Sequence, residues 1–396
     1  MTDGVVLAHD YATQRGGAER VALVLARTFP GSPMHTTLYD PAGTFPEFAD
    51  VDLRPTSLDA VGPLRRHHRA ALPFLARAVD GARVEGDVLV ASSTGWAHGF
   101  RGAARTVVYC HAPARWLYQT ERYLGSHSAG RGLSARARAG ATRAALAAVA
   151  PGLRGWDARA AARADVYLVN STVTQRAVRA AYGIEAEVLA PPPALLPADG
   201  DDSPVPGLEP GFLLCVARLL PYKNVDVVVE AAGLLGKQLL VIGDGPDMAR
   251  LRSVADARAR GLVTLAGRVD DATLRWAYRN ASVLVAASFE DYGLTPLEAG
   301  AFGLPVAVLG DGGYLDTVVD GLNGVYFAGS EEDGTPRPVE VSLAVDAALL
   351  RDWDRDAIRE HVARFSEERF GQRLRAVVDV QLAAARGGAG VLEGVR

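Results

Sequence analysis

The feature that most constrains the fold is the alternation of short apolar runs with longer stretches of helical period. Apolar runs at 4–10, 87–93, 105–111 and 165–171 each end in polar residues. Amphipathic segments lie between them, such as 16–29, which opens with two glycines. This alternation is typical of βαβ units, in which helices cover both faces of a parallel sheet. We therefore predict a doubly wound α/β fold.

The alternation restarts after a segment at 190–211 that is rich in proline, glycine and aspartate. Further strands are predicted at 212–217, 238–243, 262–267, 282–288 and 305–310, with helices that begin at Tyr222, Asp247, Asp271 and Pro296. A chain of 396 residues also exceeds the size at which one core stops growing. We predict two Rossmann-like domains that face each other across a cleft. Their bounds are 1–195 and 212–353, with a linker at 196–211 and terminal helices at 354–396 that cross back to the first domain.

The composition is that of an ordinary globular protein, with 49% hydrophobic and 22% charged residues. The first residues lack the layout of a signal peptide, and no segment approaches ~18 uninterrupted apolar residues. Cys110 and Cys215 lie in apolar runs, which predicts buried free thiols in a reducing compartment. A cytoplasmic protein is therefore expected.

The net charge of −4 hides a basic segment at 60–164, which contains 16 arginines and five acidic residues. Such a segment suits an anionic partner, either phosphates or lipid headgroups, although arginine-rich helices with solvated faces are the simpler alternative. Residues 62–79 within it are predicted to form a basic amphipathic helix that can lie on the inner face of an anionic membrane. Contact with such a membrane is then expected, and no nucleic acid partner is expected.

Two glutamates, Glu290 and Glu298, mark the strongest candidate site. Glu290 ends a predicted strand, and Thr295 and Pro296 are interpreted as the N-cap and first-turn proline of the next helix. Gly293 permits a close backbone approach, the helix start attracts phosphate, and a nearby carboxylate can hold sugar hydroxyls. The alternative is structural, because Thr295-x-x-Glu298 is also a capping box.

A second candidate is Lys223, one of only two lysines among 42 basic residues. It follows Arg218 by five residues in the stretch VARLLPYKNVD. A guanidinium can engage two phosphate oxygens with a planar fork, while an ammonium is a compact point charge. The pair suits a diphosphate. A phosphorylase-like alternative would make Lys223 a Schiff-base lysine for pyridoxal phosphate.

These stretches resemble the retaining glycosyltransferases with the GT-B fold and a Glu-x7-Glu element, known as glycosyltransferase family 4. The resemblance is carried in the second half by Glu290-x7-Glu298, VARLLPYKNVD, IGDGPD (242–247), AGRVDD (266–271) and the segment 310–327. In the first half, HDYATQRGGAERV, CHAPARWLY (110–118) and APPP (190–193) are similar to mannosyltransferases of O-antigen and exopolysaccharide assembly. Tyr292 stands where phenylalanine is common, and Asp316 replaces a frequent glutamate.

The resemblance implies a role for each matching residue. His111, Glu290, Arg218 and Lys223 would be catalytic, and the donor site would comprise Gly16, Gly17, Arg218, Lys223, Gly243, Gly245, Arg268, Val269, Asp271, Glu290, Gly293, Leu294, Thr295 and Glu298. Arg218 and Lys223 would stabilise the leaving diphosphate, so that no metal or other cofactor is required. Glu290 would hold the transferred sugar and Glu298 the ribose. His9, His67, His68, His98 and Trp96 are interpreted as surface, packing or acceptor-side residues.

The implied reaction moves a hexose, best interpreted as mannose from GDP-mannose, to a glycan or lipid-linked acceptor with retention. A carboxylate at Asp270 or Asp271 can accept two hydrogen bonds from guanine, although Asp271 can equally cap the following helix. A UDP-sugar or another donor with a small-molecule acceptor remains an alternative. So do a nucleotide-sugar epimerase, which needs no acceptor, and a non-catalytic sugar-nucleotide-binding protein.

Overall fold

The computed structural model describes residues 4–66, 68–118, 149–197 and 202–393, so part of the predicted linker lies outside the described residues. The chain divides into two compact units. Unit 1 comprises Met1–Pro191 together with Glu367–Arg396, and unit 2 comprises Pro192–Ser366. Each unit contains one parallel sheet, and the predicted fold class is confirmed.

The sheet of unit 1 has seven strands in the order β3-β2-β1-β4-β5-β6-β7. The strands are β1 Val5–His9, β2 Met34–Thr36, β3 Leu53–Pro55, β4 Val88–Ser93, β5 Arg105–Cys110, β6 Val166–Val169 and β7 Glu187–Val188. The chain runs outward from β1 to β3 and then continues from β4 on the other side of β1. The topological switch point, beside which open parallel sheets bind ligands, therefore lies between β1 and β4.

Helices cover both faces of this sheet. They are Gly17–Thr28, Gly62–Arg66, His68–Gly81, Arg115–Tyr118, 149–161, Thr172–Tyr182 and Glu367–Glu393, with 3₁₀ turns at Pro46–Asp50, Ser57–Ala60 and Ala97–Gly99. Side chains alternate along the strands, so Val5 and Leu7 belong to a different core cluster from Val6 and Ala8. The helix Glu367–Glu393 contributes Phe370 and three further buried residues to the first of these clusters.

The sheet of unit 2 has six strands in the order β10-β9-β8-β11-β12-β13. They are β8 Leu213–Val216, β9 Leu239–Ile242, β10 Val263–Gly267, β11 Val283–Ala286, β12 Val306–Leu309 and β13 Gly324–Phe327. The same reasoning places the switch point of this sheet between β8 and β11.

The helices of unit 2 are Val225–Leu235, Met248–Arg258, Asp271–Asn280, Thr295–Ala301, Tyr314–Thr317, Pro338–Leu350 and Arg355–Ala363. The predicted start at Tyr222 is wrong, because Pro221–Lys223 form a 3₁₀ turn and Asn224 adopts a left-handed φ of 51° before the helix begins at Val225. Within the described ranges, no helix is both long and apolar enough to cross a bilayer.

Candidate functional site

Lys223 and Glu290 meet at the switch point of unit 2. Lys223 follows β8 and Glu290 follows β11, and these two strands are direct neighbours in the sheet. The Lys223 Nζ donates to Glu290 Oε1, and Ser288 Oγ donates to the same oxygen at 2.5 Å. Only 13% of the Lys223 side chain and 23% of the Glu290 side chain are exposed. Each charge therefore compensates the other at a partly desolvated position.

Arg218 lies on the same β8 turn and is exposed. Within the part of the chain that the structure describes, its guanidinium has no ion-pair or hydrogen-bond partner, in contrast to Lys223. An arginine keeps its charge at all physiological pH values. This turn consequently presents one uncompensated positive charge to solvent and one that is already paired.

Gly243 and Gly245 allow the turn after β9 to pack against the backbone on either side of Arg218. A Cβ on Gly243, where φ is +135°, would lie 1.9 Å from the Ala217 carbonyl oxygen. A Cβ on Gly245 would lie 2.2 Å from the Leu219 carbonyl oxygen. Neither distance is compatible with a side chain, so both glycines have a structural role that holds the Arg218 turn in place.

The segment after Glu290 is fixed by the loop after β12. The Gly313 amide donates to the Glu290 carbonyl at 2.8 Å. Gly293 has a φ of +84°, and a Cβ there would lie 2.4 Å from the Tyr314 ring. Glycine is thus required at Gly293 both by the backbone and by the ring that packs on it.

The helix that follows begins one residue earlier than a Thr295 cap would require. Leu294 is the N-cap and Thr295 is the first helical residue, so the interpretation of Thr295 as the N-cap is wrong, and the register is not that of a capping box. Glu298 is 9% exposed, and its Oε2 accepts a hydrogen bond from the Tyr278 hydroxyl at 2.9 Å. The tyrosine thereby orients this carboxylate.

The candidate base-binding residues lie around the start of the helix Asp271–Asn280. Asp270 is its N-cap and accepts the Thr273 amide at 2.8 Å, which holds the pKa of Asp270 below its usual value. Asp271 is exposed and does not cap the helix. Arg268 is exposed with its Nε 3.6 Å from Asp244, and Val269 packs partly buried against the core.

In unit 1, His111 directly follows β5 and is only 7% exposed. Its backbone amide donates to the Ser93 carbonyl at 2.9 Å, and its own carbonyl accepts from Asn170 Nδ2 and Thr174 Oγ1. Its ring packs edge-on against the Tyr109 ring, with 5.2 Å between the two ring centroids. Burial, with smaller contributions from His9 and Arg115, lowers the pKa of His111 to about 3, so the imidazole is neutral at physiological pH.

Gly16 and Gly17 begin the helix that follows β1. Gly16 is the N-cap in an extended conformation, and Gly17 is the exposed first helical residue. A Cβ on Gly16 would lie 2.6 Å from Oε2 of Glu19, a carboxylate that is almost fully buried. The structure thus brings Gly16 against an acidic side chain that the sequence did not single out.

His9, His98 and Trp96 are all buried rather than on the surface. His98 Nε2 lies 3.1 Å from Asp157 Oδ1, and Tyr118 and Tyr182 donate to the other oxygen of Asp157. These contacts lie inside the core cluster that contains Trp96, so this group is part of the packing of unit 1.

The sequence patterns missed Ser92, Ser288 and Tyr278, and they gave His9 no more specific role than a surface, packing or acceptor-side residue. His9 Nδ1 lies 3.0 Å from Ser92 Oγ, which lies 2.8 Å from His111 Nε2. Ser288 and Tyr278 orient the two glutamates. The alternation within strands would have revealed His9 and Ser92, because both continue the series of apolar residues on one face of the sheet.

Comparison with known proteins matches part of unit 2 to a described family. Residues 202–335 match the family model of glycosyl transferases, group 1. The chain is 32% identical over 187 residues to D-inositol 3-phosphate glycosyltransferase 2 of Catenulispora acidiphila. The aligned region covers 40% of this chain and 41% of that protein. It is 34% identical over 126 residues to the alpha-monoglucosyldiacylglycerol synthase of Acholeplasma laidlawii. That aligned region covers 30% of this chain and 32% of the synthase. The chain therefore spans less than half the length of these curated relatives.

The whole chain is similar in structure to the Anabaena protein HepE, solved in complex with UDP and glucose. The TM-score is 0.64 at 16% sequence identity, and the match covers 94% of this chain and 99% of that chain. Together with the two parallel sheets, this likeness shows that the chain has the GT-B fold.

Proposed function

We propose that the protein is a retaining, metal-independent glycosyltransferase that moves a hexose from a nucleotide diphosphate sugar to a glycan or lipid-linked saccharide. The observation that carries this proposal is the ion pair between Lys223 and Glu290 at the switch point of unit 2, next to Arg218, whose guanidinium is unpaired among the residues that the structure describes. All three residues lie within the region that matches the group 1 glycosyl transferases.

Lys223 and Arg218 stabilise the diphosphate in this proposal. As the bond between sugar and diphosphate breaks, negative charge builds up on the leaving oxygen, and fixed cations beside it lower the barrier. Arg218 is available to a ligand without breaking a polar contact to any described residue, whereas Lys223 must exchange Glu290 for a phosphate oxygen. Backbone amides near Leu294 and Thr295 complete the phosphate contacts.

The two glutamates bind hydroxyl groups. Glu290, released from Lys223, accepts hydrogen bonds from the transferred sugar, and Glu298, oriented by Tyr278, accepts them from the ribose. His111, Gly16 and Gly17 of unit 1 are assigned to the sugar and the reacting centre on the family resemblance. The reacting-centre role of His111 is compatible with an imidazole that is neutral and closely held.

The donor is proposed to be GDP-mannose. Since Asp270 caps a helix, Asp271 is the carboxylate left to accept hydrogen bonds from guanine. A UDP-sugar is the second candidate, because HepE, which has the same fold, was solved with UDP.

A panel of GDP-, UDP- and ADP-sugars distinguishes these donors. We expect GDP-mannose to raise the melting temperature and to be hydrolysed slowly without acceptor, and Asp271→Asn to weaken GDP binding more than UDP binding. A shift with a UDP-sugar and none with GDP-mannose would overturn the donor assignment. Recovery of a C2-epimerised sugar, with no transfer to any acceptor, would indicate an epimerase instead.

The acceptor is proposed to be lipid-linked and reached by contact with an anionic membrane. The predicted basic segment 62–79 forms the helices Gly62–Arg66 and His68–Gly81, between which residue 67 is outside the described residues. Phe74 is 52% exposed on the second helix, and Arg77 is exposed on the same helix. An exposed aromatic side chain beside an exposed cation suits the interface of a bilayer with anionic headgroups.

Vesicle flotation tests the membrane contact. We expect binding to phosphatidylglycerol vesicles but not to phosphatidylcholine vesicles, and loss of binding in the double variant Phe74→Ser and Arg77→Glu. Arg83→Glu, at another exposed arginine just beyond the helix, is the matched control and should bind normally. Binding that is equal on both lipids, or unaffected by the double variant, would contradict the proposal.

A further inference from the structure

Three polar side chains end adjacent strands at the switch point of unit 1. Val5, Leu7 and His9 point to one face of β1, and the strand register pairs His9 with Ser92 on β4 and Ser92 with Tyr109 on β5. His111 follows Tyr109 by two residues, so it continues the same face. His9, Ser92 and His111 therefore form a row across β1, β4 and β5.

The row is joined by two hydrogen bonds through one hydroxyl. Ser92 Oγ lies 3.0 Å from His9 Nδ1 and 2.8 Å from His111 Nε2. Ser92 is fully buried and His9 is 2% exposed. A serine hydroxyl has one proton and two acceptor lone pairs, and among the described residues the Ser92 hydroxyl has no hydrogen-bond partner besides these two rings. Because its buried proton needs an acceptor, it donates to one histidine and accepts from the other.

The outer nitrogen of His9 decides the direction of these bonds. His9 Nε2 is buried and has no hydrogen-bond partner among the described residues. If Ser92 donated to His9 Nδ1, the His9 proton would lie on Nε2, which would leave a buried N–H group without an acceptor. Buried N–H groups without partners are rarer than buried acceptors without partners. His9 therefore carries its proton on Nδ1 and donates it to Ser92.

We propose that His9, acting through Ser92, is a positioning residue that fixes His111 in the tautomer with its proton on Nδ1. Ser92 then donates to His111 Nε2. His111 Nδ1 makes no hydrogen bond to any described residue, and unlike His9 Nε2 it is not fully buried. It is therefore the ring nitrogen of His111 that a ligand can reach. The row thus presents a neutral N–H donor to an oxygen atom of the ligand.

The neutrality of both rings is consistent with their surroundings. Burial is the largest influence on each, and it lowers the pKa of His9 as well as that of His111. The assignment of the ligand oxygen to a nucleotide sugar rests on the proposed function. The tautomer itself does not, because the apo protein already holds all three residues in place.

Nitrogen-15 NMR of the apo protein labelled at its eight histidines tests the tautomer directly. Protonated and unprotonated ring nitrogens have well-separated shifts, and His111→Gln assigns the His111 signals. We expect a proton on Nδ1 of His111 in the wild type, and a substantial population with the proton on Nε2 in Ser92→Ala and His9→Leu. His9→Asn, whose amide nitrogen stands near the place of Nδ1, should keep the proton of His111 on Nδ1 as in the wild type.

Ser93→Ala is the matched control, since Ser93 is the next residue, equally buried, and bonded to His98 and Asp10 on the other face of the sheet. It should leave the His111 tautomer unchanged. A wild-type spectrum with the proton on Nε2 of His111 would overturn the proposal without any variant. So would a tautomer that stays on Nδ1 in both Ser92→Ala and His9→Leu.

Kinetics provides the second readout. If the protein turns over a nucleotide sugar, kcat should fall roughly 10- to 100-fold in Ser92→Ala and His9→Leu, with little change in KM for the donor and with rescue by His9→Asn. Equal losses in His9→Leu and His9→Asn would indicate a packing role and contradict the proposal. Absence of turnover in the wild type would refute the proposed function, while the NMR result would still decide the tautomer.

Discussion

Lys223 occupies a position where the size of the cation matters as well as its charge. Its Nζ contacts the Glu290 carboxylate and lies 5.2 Å from the centre of the Tyr222 ring. The positive charge of Lys223 acts to lower the pKa of the Cys215 thiol, but burial has the larger effect. Burial raises this pKa to about 12 and keeps the thiol neutral. A compact ammonium occupies this position, and the larger planar guanidinium of arginine would place its nitrogen atoms differently relative to the carboxylate.

Lys223→Arg should therefore lower kcat by about 100-fold although the charge is kept, because misplacing a catalytic group by ~1 Å costs that much. Lys237→Arg is the matched control, since Lys237 is the only other lysine of the chain and is exposed. Steady-state kinetics with the preferred donor measures both variants. Equal activity of the two would show that the size of the Lys223 side chain is unimportant.

Glu290→Ala should abolish transfer and at the same time tighten the binding of the nucleoside diphosphate a few-fold. The carboxylate competes with phosphate for Lys223 in the empty site, and a partly exposed ion pair is worth up to ~1 kcal/mol. Isothermal titration with GDP and UDP measures the affinity. Glu290→Gln keeps the shape of the side chain and removes its charge, so it should tighten binding similarly; weaker binding in both variants would contradict the competition.

At the level of secondary structure, the long buried strands were predictable and the short ones were not. Every strand predicted from an apolar run is present. A strand such as 105–111 is buried on both faces of the sheet, so its sequence is an almost continuous apolar run. Strands β2, β3 and β7 contain only two or three residues, too few to establish a period. The helix Pro338–Leu350 was also missed, because apolar residues lie on its exposed side as well as on its buried side: Val339 and Leu343 are exposed, whereas Val341 and Val345 are buried.

The candidate residues were predictable one by one, but their contacts were not. Glu290 and Lys223 each stand at a strand end that the sequence marks, yet their contact depends on β8 and β11 being neighbours. Strand order follows from the path of the whole chain, which no local pattern encodes. The Thr295 cap was wrong in a similar setting, since the segment before that helix is held by a hydrogen bond from Gly313, a residue that follows β12.

The turn after β9 provides a prediction about backbone packing. Gly243→Ala should lower the free energy of unfolding by more than about 3 kcal/mol, because the new Cβ would collide with the Ala217 carbonyl as well as strain the backbone. Gly236→Ala separates the two effects, since Gly236 also has a positive φ, of 62°, but its new methyl group would meet no atom within 4 Å. It should cost only about 1 kcal/mol. Urea denaturation measures both, and equal costs would refute the steric argument.

At the scale of the whole molecule, the core of unit 1 is completed by the end of the chain. Phe370, Leu374, Val378 and Leu382 of the helix Glu367–Glu393 are buried in the same cluster as β1, β4 and β5. Arg27 and Glu367 add a pair of hydrogen bonds at 2.6 and 2.7 Å between this helix and Gly17–Thr28. Residues more than 300 positions apart in sequence thus share one core.

Leu374→Ala should accordingly destabilise unit 1 by about 2–5 kcal/mol, the usual cost of truncating a fully buried leucine. Gln372→Ala, two residues earlier and exposed, is the control and should change stability by less than about 0.5 kcal/mol. Urea denaturation followed by tryptophan fluorescence reports on unit 1 when Trp276 and Trp353 of unit 2 are replaced by phenylalanine in both variants and in the reference protein. A cost below about 1 kcal/mol for Leu374→Ala would mean that the helix contributes little to this core.

The shared core has a consequence for biosynthesis. The first 191 residues are synthesised well before Glu367–Glu393, so the part of the N-terminal sheet that this helix covers stays exposed while unit 2 is translated, although Gly17–Thr28 already packs on the same face. Domains usually fold in the order in which they emerge, with the N-terminal one first. In this chain unit 2 is continuous in sequence, so it can complete its folding before unit 1 does. Pausing of translation or chaperone binding during this interval should therefore protect the N-terminal strands, and not those of unit 2.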